Sequence, residues 1–389
     1  MVDRGRLVIA ALASLAACAG GDEGSGTDAA TGSGAPTSTS GDPGGSTGDA
    51  TGDATGATDD SPGATDPGAS TGEDAASTGD APPDGVFVAV GDGGVRARSI
   101  DGIEWTAQIG SGLPDLNDAM APPDALRALA VGDGGVVVAV GGGGTGSSGT
   151  MMVMRSDDGG LSWQEDLLAA ADLGSKQRLH GVAYDAGVFV AAGMRGKRIR
   201  SEDGGLTWTE APAANENARL LAVAAGGGVF VVGGWTQYMY DGPVASALSY
   251  SADAGLTWSP LDESFARIDD VAYGAGQFVA VGETQCLRSP DGAAWTDCGV
   301  AGPLFFGVDA VGEQLVLIAS DGLRTSSDGQ LWSDPLVSPV GSPTELARGN
   351  GRHVGVRWTD RGWADSLETW TFATYAEQPL RAIAFVKTM

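Results

Sequence analysis

Histidine, cysteine, basic residues and long apolar runs are all scarce in this sequence. Its two histidines, His180 and His353, fall in different repeats, so they are not expected to build a zinc site. No other metal and no cofactor is implied. Turns such as Asp157-Asp158-Gly159-Gly160 lack the alternating oxygen ligands of a calcium loop. Lysine and arginine total 22 against 50 acidic residues, giving a net charge of −28. That balance excludes nucleic acid as a partner and any electrostatic grip on an acidic membrane surface. In place of long helices there are 64 glycines and 18 prolines, the composition of a chain with many tight turns.

The longest apolar run near the start, Leu7 to Ala17, is too short to span a bilayer. Arg4 and Arg6 precede it, and Leu15-Ala16-Ala17-Cys18 closes it. The stretch MVDRGRLVIAALASLAAC resembles a bacterial secretion signal ending in a lipobox. The resemblance implies that residues 1–17 are cut away and that Cys18 is acylated. It further implies a membrane partner through the acyl anchor and a place at the cell envelope, facing periplasm or exterior. An ordinary signal peptide that happens to contain a cysteine is the plainer reading.

Residues 18–84 follow as a linker. From Ala19 to Asp84 there is no Val, Ile, Leu, Phe, Tyr, Trp, Met, Lys or Arg. Such a tract cannot offset its ordering entropy by burying apolar surface, so a disordered, acidic tether is expected. Its Gly-rich statistics give a reach of about 45 Å.

From Gly85 onward the sequence repeats. RIDDVAYGAGQFVAVGETQCLRSPDGAAWTDCG shows one unit: two apolar runs around a glycine turn, a short third run, a turn, and a fourth run. The order recurs in LRALAVGDGGVVVAVG, LHGVAYDAGVFVAAG, LLAVAAGGGVFVVGG and FFGVDAVGEQLVLIAS. Four short strands at this period predict the four-stranded blades of an all-β propeller, stacked face to face because one sheet cannot bury both its sides. The second runs start near Val86, Val136, Val188, Val229, Gln277, Gln314 and Arg352, which predicts seven blades. The first unit lacks an inner strand, and LRAIAFV at 380–386 copies LRALAV at 126–131. The C-terminal strand is therefore expected to complete blade one and close the ring over residues 85–389.

Six of the units also carry a Ser-x-Asp turn leading to a Trp. SIDGIEW holds Asp101 and Trp105, SDDGGLSW Asp158 and Trp163, and SEDGGLTW Asp203 and Trp208. SADAGLTW holds Asp253 and Trp258, SPDGAAW Asp291 and Trp295, and SSDGQLW Asp328 and Trp332. The Asp should accept backbone N–H bonds, Gly should supply a left-handed position, and Trp should pack on the adjoining blade. These residues resemble the Asp-box (BNR) repeat of sialidases and of many non-enzymatic propellers. TDRGW at 359–363 reads as the vestige of a seventh copy. The resemblance implies a structural role for these twelve residues, since the box lies on the rim in that family.

Sialidase chemistry would require three arginines around a carboxylate, a Tyr–Glu pair and an Asp acid/base. Arg98, Arg155, Arg200 and Arg288 all precede the Ser of a box, so they read as parts of the blade, as do Tyr184 and Tyr273 in matching VAY positions. No catalytic residues are assigned. Cys286 and Cys298 flank the turn of blade five, and counting outward from Ser289 opposite Trp295 sets them across from each other, which predicts a disulfide. The outstanding loop, GWTQYMYDGPVASA, offers Trp235, Tyr238, Tyr240 and Asp241 as candidate ligand-binding residues. Arg195 lies on the matching loop one blade earlier, and Trp358, Arg361 and Trp363 come from blade seven. Edge-covering packing is the bland counterpart for all of them. The reading favoured is a monomeric lipoprotein propeller that binds a protein or glycan without catalysis. Its alternatives are a divergent sialidase-like glycoside hydrolase and an inert envelope scaffold; photosystem assembly-factor propellers resemble the chain in having such repeats without sialidase residues.

Overall fold

The computed structural model describes residues 83–108, 125–143, 150–165, 167–168, 173, 177–211, 217–237, 244–261, 265–374 and 378–388. The leader, Cys18 and the linker up to residue 82 lie outside the described residues, as do Tyr238, Tyr240 and Asp241.

The repeated units form seven antiparallel sheets. In each, an inner strand is followed by a second, a third and an outer strand. The inner strands of blades two to seven are Leu126–Val131, Leu179–Asp185, Ala218–Gly226, Asp270–Gly274, Phe305–Val311 and Glu345–Gly349. Blade one takes its inner strand, Leu380–Lys387, from the far end of the chain. This strand pairs antiparallel with Gly85–Gly91, setting Phe87 opposite Phe385 and Ala89 opposite Ile383. Each inner strand contacts the inner strands of its two neighbours, in the order one to seven and back to one, so the ring is closed. In blades two and six the outer strand shrinks to single bridges, Arg155 with Gln164 and Leu323 with Leu336.

The second strands explain the uninterrupted apolar runs. Val86, Phe87, Val88, Ala89 and Val90 are all buried, because each second strand is covered by the neighbouring blade on both faces. Phe87, Phe189, Phe230 and Phe278 are fully buried and occupy one equivalent position, opposite Ser99, Ser201, Ser251 and Ser289. Each phenyl group contributes about 2–3 kcal/mol through burial. Tyr184 and Tyr273 pack on Phe189 and Phe278 at centroid distances of 4.6 Å, and Phe385 packs on Phe87 at 5.0 Å. The tyrosines at matching positions are thus part of the inter-blade core.

Antiparallel order divides the turns between two faces. Inner-to-second and third-to-outer turns open on one face, here called the Asp face. Second-to-third turns and the connections between blades open on the opposite one. The chain enters the ring on the Asp face. There the Asp84 N–H donates to Asn350 Oδ1 at 2.9 Å, and Asn350 Nδ2 donates to the Gly85 carbonyl at 2.9 Å.

Blade five carries a disulfide between Cys286 and Cys298, with Cα atoms 5.5 Å apart. Leu287 pairs with Asp297 and Arg288 with Thr296, so the cysteines are the next facing pair. The Cys298 N–H donates to the Cys286 carbonyl at 3.0 Å. Register therefore brings the sulfurs together.

Candidate functional site

The Asp turns come in two lengths with one logic. In SEDGGLTW, Ser201 Oγ donates to Asp203 Oδ1 at 2.8 Å and accepts the Gly205 N–H at 2.9 Å. Asp203 Oδ1 also accepts the N–H groups of Leu206 and Thr207, and Oδ2 accepts the Thr207 hydroxyl at 2.5 Å. Asp158 and Asp253 bind Ser162 and Thr257 in the same way. The shorter turns at Asp101, Asp291 and Asp328 lose one residue and with it the hydroxyl, but keep two N–H bonds to Oδ1. All six carboxyls sit below their ordinary 3.8. For Asp253 the Thr257 hydroxyl and N–H lead the effect and take it to about 2.

Trp closes the turn on itself and on its neighbour. The indole N–H of Trp105, Trp163, Trp208, Trp258 and Trp295 donates to the carbonyl three residues earlier, at 2.8–3.2 Å. Trp332 is the departure, with no partner for its Nε1. The turn glycines Gly102, Gly160, Gly205, Gly255 and Gly292 each lie against a valine of the preceding blade, whereas Gly329 lies against Gln277; a Cβ on Gly205 would stand 2.7 Å from Val138 Cγ2. A Cβ on Gly102 would meet Val354 of blade seven at 2.2 Å, which marks the ring's closing contact.

The arginine before the box Ser performs the reverse reach. Arg98 Nε donates to the Gly159 carbonyl, Arg155 to Gly204 and Arg200 to Ala254, at 2.8–3.1 Å, each crossing to the next blade's turn. These arginines fasten blade to blade, and their guanidinium groups are engaged there. Arg198 makes a second seam. It is buried, donates to Ser249 Oγ at 2.9 Å and lies 4.9 Å from the Trp258 ring, and desolvation brings its pKa down to about 10.

The seventh turn is not where its sequence vestige suggested. Residues 360–364 form the third strand, and Ala364 faces His353 where the other blades set Ser against an apolar residue. The turn is ADSLETW, residues 364–370, with Trp370 Nε1 donating to the Leu367 carbonyl at 3.0 Å. Ser366 and Thr369 share a hydroxyl bond at 3.1 Å in place of the Asp–Thr pair, and Leu367 fills the place of the glycine. With Ser, Asp and Gly absent from their box positions, only the Thr-Trp ending and the strand register mark the turn.

Blade equivalence sorts the candidate ligand residues. Trp363 faces Val354 and takes the position of Arg98 and Arg155. Arg361 takes the position of Arg198, with its guanidinium 5.4 Å from the ring of Trp105 in the next blade. Both sit at the blade seven–one seam. Trp235 extends the second strand of blade four and is half-buried between Arg219 at 4.6 Å and Arg267 at 5.4 Å. Arg195 is exposed on the neighbouring turn with φ 58°. Trp358 is 48% exposed, also on a second-to-third turn, with φ 52°. A left-handed backbone is an outlier for so bulky a residue. The Trp358 carbonyl accepts the Leu380 N–H at 2.9 Å, and its ring lies 5.7 Å from the Arg381 guanidinium. Arg381 in turn holds Asp92 through two bonds of 2.7 and 2.6 Å. Trp235 and Arg195 are thus neighbours, whereas Trp358 stands across the ring from them on the same face.

The fold is similar to that of known propellers. A GH74 xyloglucanase from Xanthomonas campestris matches at TM-score 0.52 and 18% identity, over 79% of this chain and 53% of that one. The chain thus spans about half the enzyme's length, and at this identity the likeness bears on fold alone. YCF48 bound to D1 peptide matches at TM-score 0.48 and 19% identity, over 67% of this chain and 86% of that one. YCF48 from Cyanidioschyzon merolae matches at TM-score 0.46 and 14% identity, over 64% and 84%. No protein-family model matches the chain, and no curated protein matches it.

Proposed function

We propose that the chain is a secreted bacterial lipoprotein with an Asp-box propeller that binds a protein or glycan partner without catalysis. In this reading, Cys18 carries the acyl chains, the acidic linker spaces the ring from the envelope membrane, and the face opposite the Asp turns meets the partner. The observation that carries it is Trp358, an indole half exposed on a left-handed backbone and backed by the Arg381–Asp92 pair. Strain of order 1–3 kcal/mol persists only where the surroundings over-determine it, and an aromatic held in advance loses little entropy on binding. The engagement of Arg98, Arg155 and Arg200 with neighbouring blades favours binding over a sialidase-like clamp.

Glycan arrays and pull-downs from envelope extracts, run with the full chain, test the reading in two arms. Trp358→Ala should weaken the captured interaction about tenfold or more, about 1.4 kcal/mol, as for an interface anchor. Equal capture by Trp358→Ala would remove this face from consideration. Cys18→Ser should move the protein from the membrane fraction to the soluble one, and retention in the membrane would refute the anchor.

A further inference from the structure

On the Asp face, the ends of the inner strands of blades six, seven, one and two part around a cavity of about 660 Å³. That volume falls within the range of small-molecule sites. Four charged side chains line it, in ring order Asp309, Arg348, Lys387 and Asp133. Asp309 is already engaged, its Oδ2 accepting the Leu346 N–H at 3.0 Å. Asp133 is exposed and stands near Tyr184, whose phenol is pushed up by desolvation first and by this carboxylate second. The two cations are unengaged. Arg348 and Lys387 are exposed and have no hydrogen bond or ion pair among the described residues. Elsewhere on the ring, arginines such as Arg357, Arg324 and Arg381 are matched to Asp360, Asp321 and Asp92.

Part of the lining is apolar. Ile383 and Phe385 contribute to it from blade one, and Phe385 is fixed by its packing on Phe87. The geometry points to a binding site for a small organic anion: a carboxylate or sulfonate held by Arg348 and Lys387, with an aliphatic or aromatic body against Ile383 and Phe385. The net charge of −28 repels anions at long range. Charge-assisted bonds at the cavity must therefore be joined by apolar contact, and a bare inorganic anion gains too little. This site is separate from the Trp358 face and does not depend on it.

Titration of the full chain with 8-anilinonaphthalene-1-sulfonate, read by fluorescence and calorimetry, tests the site. One probe should bind per chain and be displaced by hexanoate but not by equimolar inorganic phosphate. Arg348→Gln and Lys387→Gln should each weaken binding about fivefold or more, as expected when a charge-assisted bond is lost. Both side chains are exposed, so thermal melting should confirm that the variants fold as the parent does. Asp133→Asn should bind as tightly or more tightly, and Trp358→Ala should bind unchanged. The proposal is overturned if no saturable binding occurs, if both cation variants bind like the parent, or if phosphate competes as well as hexanoate.

Discussion

At the scale of single residues, the Asp turns are small electrostatic devices. A carboxylate that accepts N–H and hydroxyl hydrogen bonds is worth more ionised than protonated, so its pKa falls on folding. Asp253, drawn from 3.8 to about 2 by Thr257, is the clearest case. A depressed carboxyl contributes stability that is fully present above its unfolded pKa and is lost as pH falls through its folded pKa. The melting temperature should therefore be flat above about pH 5 and fall between about pH 4 and pH 2. Asp253→Asn should lower it at neutral pH and flatten part of that acid limb, and salt should shrink the effect because the group is partly open to solvent. A parent-like acid limb in Asp253→Asn would show that the Thr257 bonds do not set the shift. The motif's residue types were legible in the sequence, but the split between turns with and without the hydroxyl follows from backbone length and needed coordinates.

At the scale of the blade, glycine serves two different needs within one turn. Gly204 and Gly205 both have left-handed backbones, at φ 72° and 87°. A Cβ on Gly204 would meet nothing within 4 Å, whereas one on Gly205 would press on Val138 of the previous blade. Gly204→Ala should cost about 1 kcal/mol from backbone strain alone, and Gly205→Ala about 2–4 kcal/mol because overpacking adds to it. Equal costs in chemical denaturation would mean that the blades can yield at this contact. The seventh blade shows the converse. Leu367 replaces the glycine and packs into the cluster around Val316 and Ile318, so apolar burial takes over the joining role of the close approach. A motif search fails there because the register is kept by Ala364 and Trp370 while the diagnostic Ser, Asp and Gly are gone from their box positions. The Cys286–Cys298 pair, in contrast, could be counted out from Ser289, since a regular hairpin leaves one partner for each position.

At the scale of the molecule, the joint between the two ends of the chain decides whether there is a ring. Leu380–Lys387 covers one edge of Gly85–Gly91, a strand whose apolar residues are all buried. Deleting residues 378–389 should expose that edge and the flanks of blades seven and two. Light scattering and circular dichroism should then show aggregation, or a melting temperature lowered by about 10 °C or more. A truncated chain that stays monodisperse and melts like the parent would contradict closure by this strand.

The sequence by itself determined the blade count, the order of strands and the closing strand, because alternation, turn residues and repetition are local or self-similar signals. It also supplied the disulfide, which follows from hairpin register. Only the tertiary structure decided which arginines bridge blades and which stand free, and that Arg361 and Trp363 sit in a seam while Trp358 is open. It alone revealed the cavity, whose lining comes from four blades. The physical reason is the same in each case: equivalent positions in a repeat look alike in sequence, and their surroundings differ only once neighbouring sheets are brought against them.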